Sequence, residues 1–265
     1  MMGQCVFVEF DCVFHVLYIR ACYTRFSMSI KIVNVPKIIF FGDSLTQLGW
    51  SYEGGWLSIL ANNFVRRLDV IGRGYSGYNT RMCRPLLPTL FPTEQSLQDC
   101  QFFVIFLGAN DVSTAEQHVP VDEYEANLIW MVRYLQNMGV PPDRIMLISL
   151  PPVDEAKWGA HQLSEGKPLT RELRHYPIYV KACAQASLST GAHFLNLHDA
   201  MIAQQNWVDM LSDGLHFSRK GSEFVAHILT AVFEDRLATR CPVLFPDWKQ
   251  IDKERPEQTI YTSLP

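Results

Sequence analysis

The feature that most limits how this chain can fold is an alternation of two patterns. Short continuous apolar runs, each ended by glycine, proline or a polar turn, are separated by stretches whose apolar residues recur at helical spacing. Ile38-Ile39-Phe40-Phe41 stops at Gly42-Asp43-Ser44, and Phe102 to Leu107 stops at Gly108-Ala109-Asn110-Asp111. Arg144 to Leu150 stops at Pro151-Pro152, and shorter runs cover Asp69–Ile71 and His193–Leu197. Between them, Trp56, Leu57, Leu60, Phe64 and Leu68 share one helical face, as do Tyr124, Leu128, Met131, Val132 and Leu135. Further helices are expected after Thr80, over Pro177–Leu188, and over Gly221–Leu237 behind Ser218. Strands that are apolar throughout are buried on both faces. The class is therefore α/β: a five-stranded parallel sheet with helices on both sides.

A chain of 265 residues, 48% hydrophobic and 19% charged, can bury one substantial core. The expected organisation is an N-terminal extension over 1–30, one domain over 31–240, and a tail over 241–265. Leu244, Phe245 and Trp248 could pack that tail on the domain. In the extension, Glu9 and Asp11 precede the apolar Val13–Tyr18 and Arg20 follows, the wrong charge layout for a secretory signal. A weak targeting segment and an alternative start at Met28 both stay open.

Net charge is −4 and the Lys and Arg residues are scattered, which argues against nucleic acid as a partner. No apolar run approaches the ~20 residues of a membrane-spanning helix. Seven cysteines without C-x-x-C spacing suggest neither a disulfide framework nor a metal site. The expectation is reduced thiols in a soluble protein of the cytoplasm.

Four segments carry residues suited to acyl transfer, which needs a nucleophile, a base, a group to orient the base, and donors for an oxyanion. Ser44 lies on the turn after the first strand, Gly77 closes the turn after the second, and Asn110 follows the third. Asp213 stands three residues before His216, a spacing that lets a loop carboxylate hold its own segment's imidazole. Each has a plainer reading: turn residues for Ser44 and Gly77, a loop-ordering amide for Asn110, a solvated histidine for His216. Asp111 is expected to cap the following turn or helix.

In this order, Gly42-Asp43-Ser44-Leu45, Gly74-Tyr75-Ser76-Gly77, Gly108-Ala109-Asn110-Asp111 and Asp213-Gly214-Leu215-His216 resemble the motifs of the GDSL or SGNH hydrolases, over about Lys37 to Trp248. Within that superfamily, Arg73 to Arg81, Glu123 to Leu128, and Leu211 to His216 with Lys220-Gly221 look like the isoamyl acetate-hydrolysing esterases. The resemblance implies a flavodoxin-like three-layer α/β/α sandwich with strand order 2-1-3-4-5 and no cofactor. It further implies Ser44 as nucleophile and first oxyanion donor, Gly77 and Asn110 as the other donors, and His216 as base oriented by Asp213. One position departs: members commonly carry Asn five residues before the oxyanion glycine, where this chain has Gly72.

The implied substrate is a small-molecule ester with a short acyl group, with Trp50, Tyr52 and Trp56 as candidate pocket residues, Trp56 equally readable as helix and core packing, and the segment Asp154–His175 as arbiter of specificity. Lipase, lysophospholipase and thioesterase activities stay open. Two rivals come from other classes: a non-catalytic flavodoxin-like binding module, and a metal-dependent phosphatase using Asp43 and Asp111.

Overall fold

In the computed structural model, which describes residues 33–262, five strands form one sheet. They are β1 (Lys37–Gly42), β2 (Asp69–Gly74), β3 (Cys100–Phe106), β4 (Ile145–Ile148) and β5 (His193–Leu195). Their order is 2-1-3-4-5 and every neighbouring pair is parallel. The extension expected over 1–30 lies outside the described residues.

The connections carry α1 (Ser44–Gln47), α2 (Trp56–Asn63), α3 (Thr80–Leu90), α4 (Val121–Asn137), α5 (Glu155–Ser164), α6 (Tyr176–Thr190), α7 (Leu197–Ile202) and α8 (Arg219–Leu237). Strand periodicity sends successive side chains to opposite faces, and the central aromatics show it directly. Phe40 meets Trp56 of α2 and Phe233 of α8, and Phe102 meets Phe233 from the next strand. Their neighbours Phe41 and Phe103 meet each other on the far face, where Phe103 also contacts Phe91 at the end of α3. There α4 packs between α3 and α6. The result is the three-layer α/β/α sandwich. Each of these buried phenylalanines contributes about 1.5–3 kcal/mol of apolar burial.

Helix starts follow local capping. The Asn79 side chain accepts the Met82 N–H at α3, and Ser218 accepts the Gly221 N–H at α8. The fifth strand is shorter than its apolar run, because the Asn196 side chain accepts the Asp199 N–H and opens α7 at Leu197. The segment 154–175, a polar stretch that reads as a long loop with some helix, carries α5, which is capped by Asp154 and buries only Trp158 and Gln162. The compact unit Asn34–Leu244 closes where Arg67 Nε donates to the Cys241 carbonyl (2.9 Å) and the Leu244 N–H to the Arg66 carbonyl (2.7 Å). After Leu244, a short 3-10 turn Trp248–Gln250 and α9 (Pro256–Thr262) form.

Gly72, the departure from the family pattern, sits in β2 opposite Phe40. A Cβ there would lie 2.4 Å from the Trp50 indole nitrogen and 2.8 Å from Leu57 Cδ1. Trp50 and Leu57 thus occupy the space an asparagine side chain would need. Gly72→Asn is expected to destabilise the protein by about 1–3 kcal/mol through overpacking, with part of the loss recovered in the Gly72→Asn/Trp50→Ala double variant. Urea unfolding of the three proteins checks both statements.

Candidate active site

At the end of β1 the chain turns into α1 at Asp43, whose Oδ1 accepts the Leu45 N–H (2.9 Å), while the Trp56 indole donates to the Leu45 carbonyl (2.8 Å). Ser44 is therefore fixed at the first helical residue, only 5% exposed. Its Oγ lies 3.0 Å from His216 Nε2, across 172 residues of sequence. His216 Nδ1 lies 2.7 Å from Asp213 Oδ2. The loop carrying both is pinched by an antiparallel bridge between Leu211 and Phe217 and by the Ser212 N–H donating to the His216 carbonyl (2.8 Å). Asp213 Oδ1 also accepts the N–H groups of Leu215 (2.9 Å) and His216 (2.8 Å). Partial burial opposes ionisation of Asp213, but the His216 imidazole and these N–H groups hold its carboxyl below the usual range. A carboxylate that stays charged favours the Nδ1–H tautomer and leaves Nε2 to accept the serine proton.

Gly77 and Asn110 line the same cavity as Ser44 and His216. Gly77 has φ +81°, a conformation costly for residues with a side chain. Its loop is held by Asn110 and by two residues outside the sequence motifs, Gln47 and Gln117. Gln47 Oε1 accepts the Ser76 N–H (2.9 Å), Gln117 Nε2 donates to the Gly77 carbonyl (2.8 Å), and Asn110 Nδ2 donates to the Tyr78 carbonyl (2.8 Å). Arg171, buried, donates through Nη2 to Asn110 Oδ1 (2.7 Å) and Gln117 Oε1 (2.9 Å). Sequence reading missed Gln47, Gln117 and Arg171. None belongs to a motif, and Arg171 lies in the polar segment 154–175.

The cavity has a volume of about 710 Å³. One wall comes from the segment 154–175, with Trp158, His161, Glu165, Lys167 and Thr170 facing the opening. Trp50, Tyr52 and Trp56 do not line it, contrary to expectation. Trp56 is buried under α1 as a core residue, Trp50 covers Gly72, and Tyr52 is 95% exposed. Among the described residues, no helix is long and apolar enough to cross a membrane.

This architecture and pocket belong to a known class. Residues 40–224 match the model of the GDSL-like lipase/acylhydrolase family, and the chain belongs to that family. The isoamyl acetate-hydrolyzing esterase 1 homolog of Rattus norvegicus is 38% identical over 230 residues, covering 85% of this chain and 92% of the relative. The Bos taurus homolog is 40% identical over the same shares. The protein is accordingly a carboxylic ester hydrolase. The fold recurs in the lipase/acylhydrolase from Enterococcus faecalis, with TM-score 0.61, 21% identity, and 76% of this chain and 97% of that one covered. It recurs also in an acetyl xylan esterase, AlAXEase, with TM-score 0.60, 17% identity, and coverage of 74% and 98%.

Beneath the serine lie two carboxyls that the phosphatase reading would need in contact with substrate. Both are fully buried. Asp111 does cap a helix, though not the one that follows it: its Oδ1 accepts the N–H (3.0 Å) and hydroxyl of Thr80, the first residue of α3, 31 positions back. Burial pushes its carboxyl up to about 6 against these hydrogen bonds. Asp43 is pushed up to about 7 by burial, with the nearby Asp111 adding to the effect and the Leu45 N–H opposing it. Its Oδ2 meets no hydrogen-bond donor among the described residues.

Between the ordinary value of 3.8 and about 7, folded Asp43 keeps a proton that the unfolded chain releases. The native state then binds more protons, so this contribution lowers stability as pH rises through that window, by at most ~4 kcal/mol. Asp213, held below its ordinary range, acts the opposite way and only as pH falls below about 4. Asp43→Asn removes the first dependence. Relative to the parent, its urea midpoint is expected to move upward from pH 4 to pH 7.5, and a constant difference would refute the assignment.

Proposed function

We propose that the protein hydrolyses short-chain, acetate-type carboxylic esters through a Ser44–His216–Asp213 triad and an acyl-enzyme intermediate. The observation that carries this reading is the continuous hydrogen-bonded chain from Ser44 Oγ to His216 Nε2 (3.0 Å) and from His216 Nδ1 to Asp213 Oδ2 (2.7 Å), opening into a cavity that Gly77 and Asn110 also line. His216 takes the serine proton as Oγ attacks the ester carbonyl. The oxyanion receives hydrogen bonds from the backbone N–H groups of Ser44 and Gly77 and from the Asn110 amide. His216 then protonates the departing alcohol, and water, activated by the same imidazole, releases the acid.

A non-catalytic binding module would have no use for a serine hydroxyl aligned with a histidine–carboxylate pair. Preference for a short acyl group is supported by the relatives named as isoamyl acetate-hydrolyzing esterases.

A fluorophosphonate is expected to label Ser44, and Ser44→Ala to abolish hydrolysis of p-nitrophenyl acetate. Wild-type activity in that variant would end the triad reading. Asp213→Asn should lower kcat by roughly 10⁴-fold, through loss of the required tautomer. Across p-nitrophenyl esters from acetate to decanoate, kcat/KM is expected to fall with chain length. A rise would point to lipase-type specificity instead.

A further inference from the structure

Arg171 presents a physical problem: it is a cation with 3% of its surface exposed, and among the described residues no carboxylate lies within ion-pairing distance. A buried charge without a counter-ion is costly unless hydrogen bonds replace its water. Every hydrogen bond it makes goes to a neutral oxygen at the active site. Nε donates to the Ala109 carbonyl (2.8 Å), Nη1 to Thr170 Oγ1 (3.2 Å), and Nη2 to both Asn110 Oδ1 (2.7 Å) and Gln117 Oε1 (2.9 Å). The Trp158 ring covers the guanidinium at 5.1 Å.

The two bonds from Nη2 matter most. A cation at Asn110 Oδ1 fixes which way the amide faces, with its nitrogen away from Arg171. One N–H of that nitrogen goes to the Tyr78 carbonyl (2.8 Å), leaving the other for the cavity. Drawing electron density toward Oδ1 also strengthens that N–H as a donor. On the second arm, Gln117 accepts from Arg171 and passes the restraint on to the Gly77 carbonyl (2.8 Å).

Resting on the triad reading above, we propose that Arg171 is a positioning residue for the oxyanion donors: its single Nη2 aligns Asn110 directly and Gly77 through Gln117, so that both face the developing charge together. Arg171 touches no reacting atom in this role. Lysine keeps the charge but has no planar fork that can span the Ala109 carbonyl and both amides.

The test is steady-state kinetics on p-nitrophenyl acetate with thermal melts of every variant, and Ser44→Ala in parallel. Arg171→Lys is expected to lower kcat about 10- to 100-fold with KM changed less than about threefold, below the full cost of deleting a donor. Placed on Asn110→Ala, the same substitution should cost no more than about fivefold more, because its direct target is already gone and only the Gln117 arm is left. Gln117→Ala, which cuts only the second arm, is expected to lower kcat about fivefold at unchanged KM. Unaltered kcat in Arg171→Lys, a loss confined to KM, or losses that multiply fully with Asn110→Ala would each overturn the proposal. Should Arg171→Lys fail to fold, Gln117→Ala decides: a lower kcat supports the role and an unchanged one overturns it. Wild-type activity in Ser44→Ala would instead remove the triad reading on which the role rests, whereas an inactive Ser44→Ala beside an unaffected Arg171→Lys overturns the positioning role alone.

Discussion

Everything at this site depends on β1 being hydrogen-bonded in parallel to β2 on one side and β3 on the other, in a register that ends the three strands level. Gly42 pairs with Gly74 in one ladder and with Phe106 in the other. The chain leaves the first strand toward one edge of the sheet and later crosses to the opposite side, so the loops after β1, β2 and β3 part around a crevice at their carboxyl ends. Ser44, Gly77 and Asn110 follow those ends by two, three and four residues, respectively. A sheet register held by apolar burial therefore sets the relative placement of Ser44, Gly77 and Asn110, which no local interaction could set alone.

Below that level the structure accepts electrostatic costs. Asp43 and Asp111 are buried with raised pKa values, Asp111 adding to the rise at Asp43, and Arg171 is buried with no carboxylate in ion-pairing distance among the described residues. Arg171 and His216 both favour the ionised form of Asp43, which partly offsets its desolvation. These groups serve placement. Asp43 caps the turn that carries Ser44, Asp111 caps α3 just after the Gly77 loop, and Arg171 holds Asn110. Stability is given up where backbone and donors need fixing, as expected of a preorganised site.

What could be read in advance follows from the range of the forces involved. Continuous apolar runs mark β1, β3 and β4 because those strands are buried on both faces, and the helical faces of α2, α4 and α8 are equally plain. β2 was barely visible, since it is an edge strand with Asp69 and Arg73 exposed and two glycines in six residues. Ser44, Asp213 and His216 stand in recognisable spacings and come together as expected. The supports do not. Gln117 reaches Gly77 across 40 positions, Arg171 reaches Asn110 across 61, and Asp111 turns back 31 positions to Thr80. Hydrogen bonds of long polar side chains leave no periodicity in a sequence. Trp50 and Tyr52 fall outside the pocket for a related reason: closeness to Ser44 along the chain says nothing about which side chains reach the cavity, and Trp56 takes the core position that its helical spacing equally allows.

Gly72 joins these threads. The asparagine that the resemblance leads one to expect would lie five residues before Gly77, and glycine there raises the question of what steadies that loop. In this chain the space beside Gly72 belongs to Trp50 and Leu57, while the loop is gripped from elsewhere, at Ser76 by Gln47, at Gly77 by Gln117 and at Tyr78 by Asn110. Two of those three grips end on the same Arg171 nitrogen. A loop restrained at three successive residues has little need of a fourth tether from β2. Glycine at position 72 is thus compatible with a firmly held Gly77 loop, and the dependence moves to Arg171 in the segment 154–175. Changes in that segment consequently act on both the cavity wall and the hold on Asn110 and Gln117, because Arg171 is part of each.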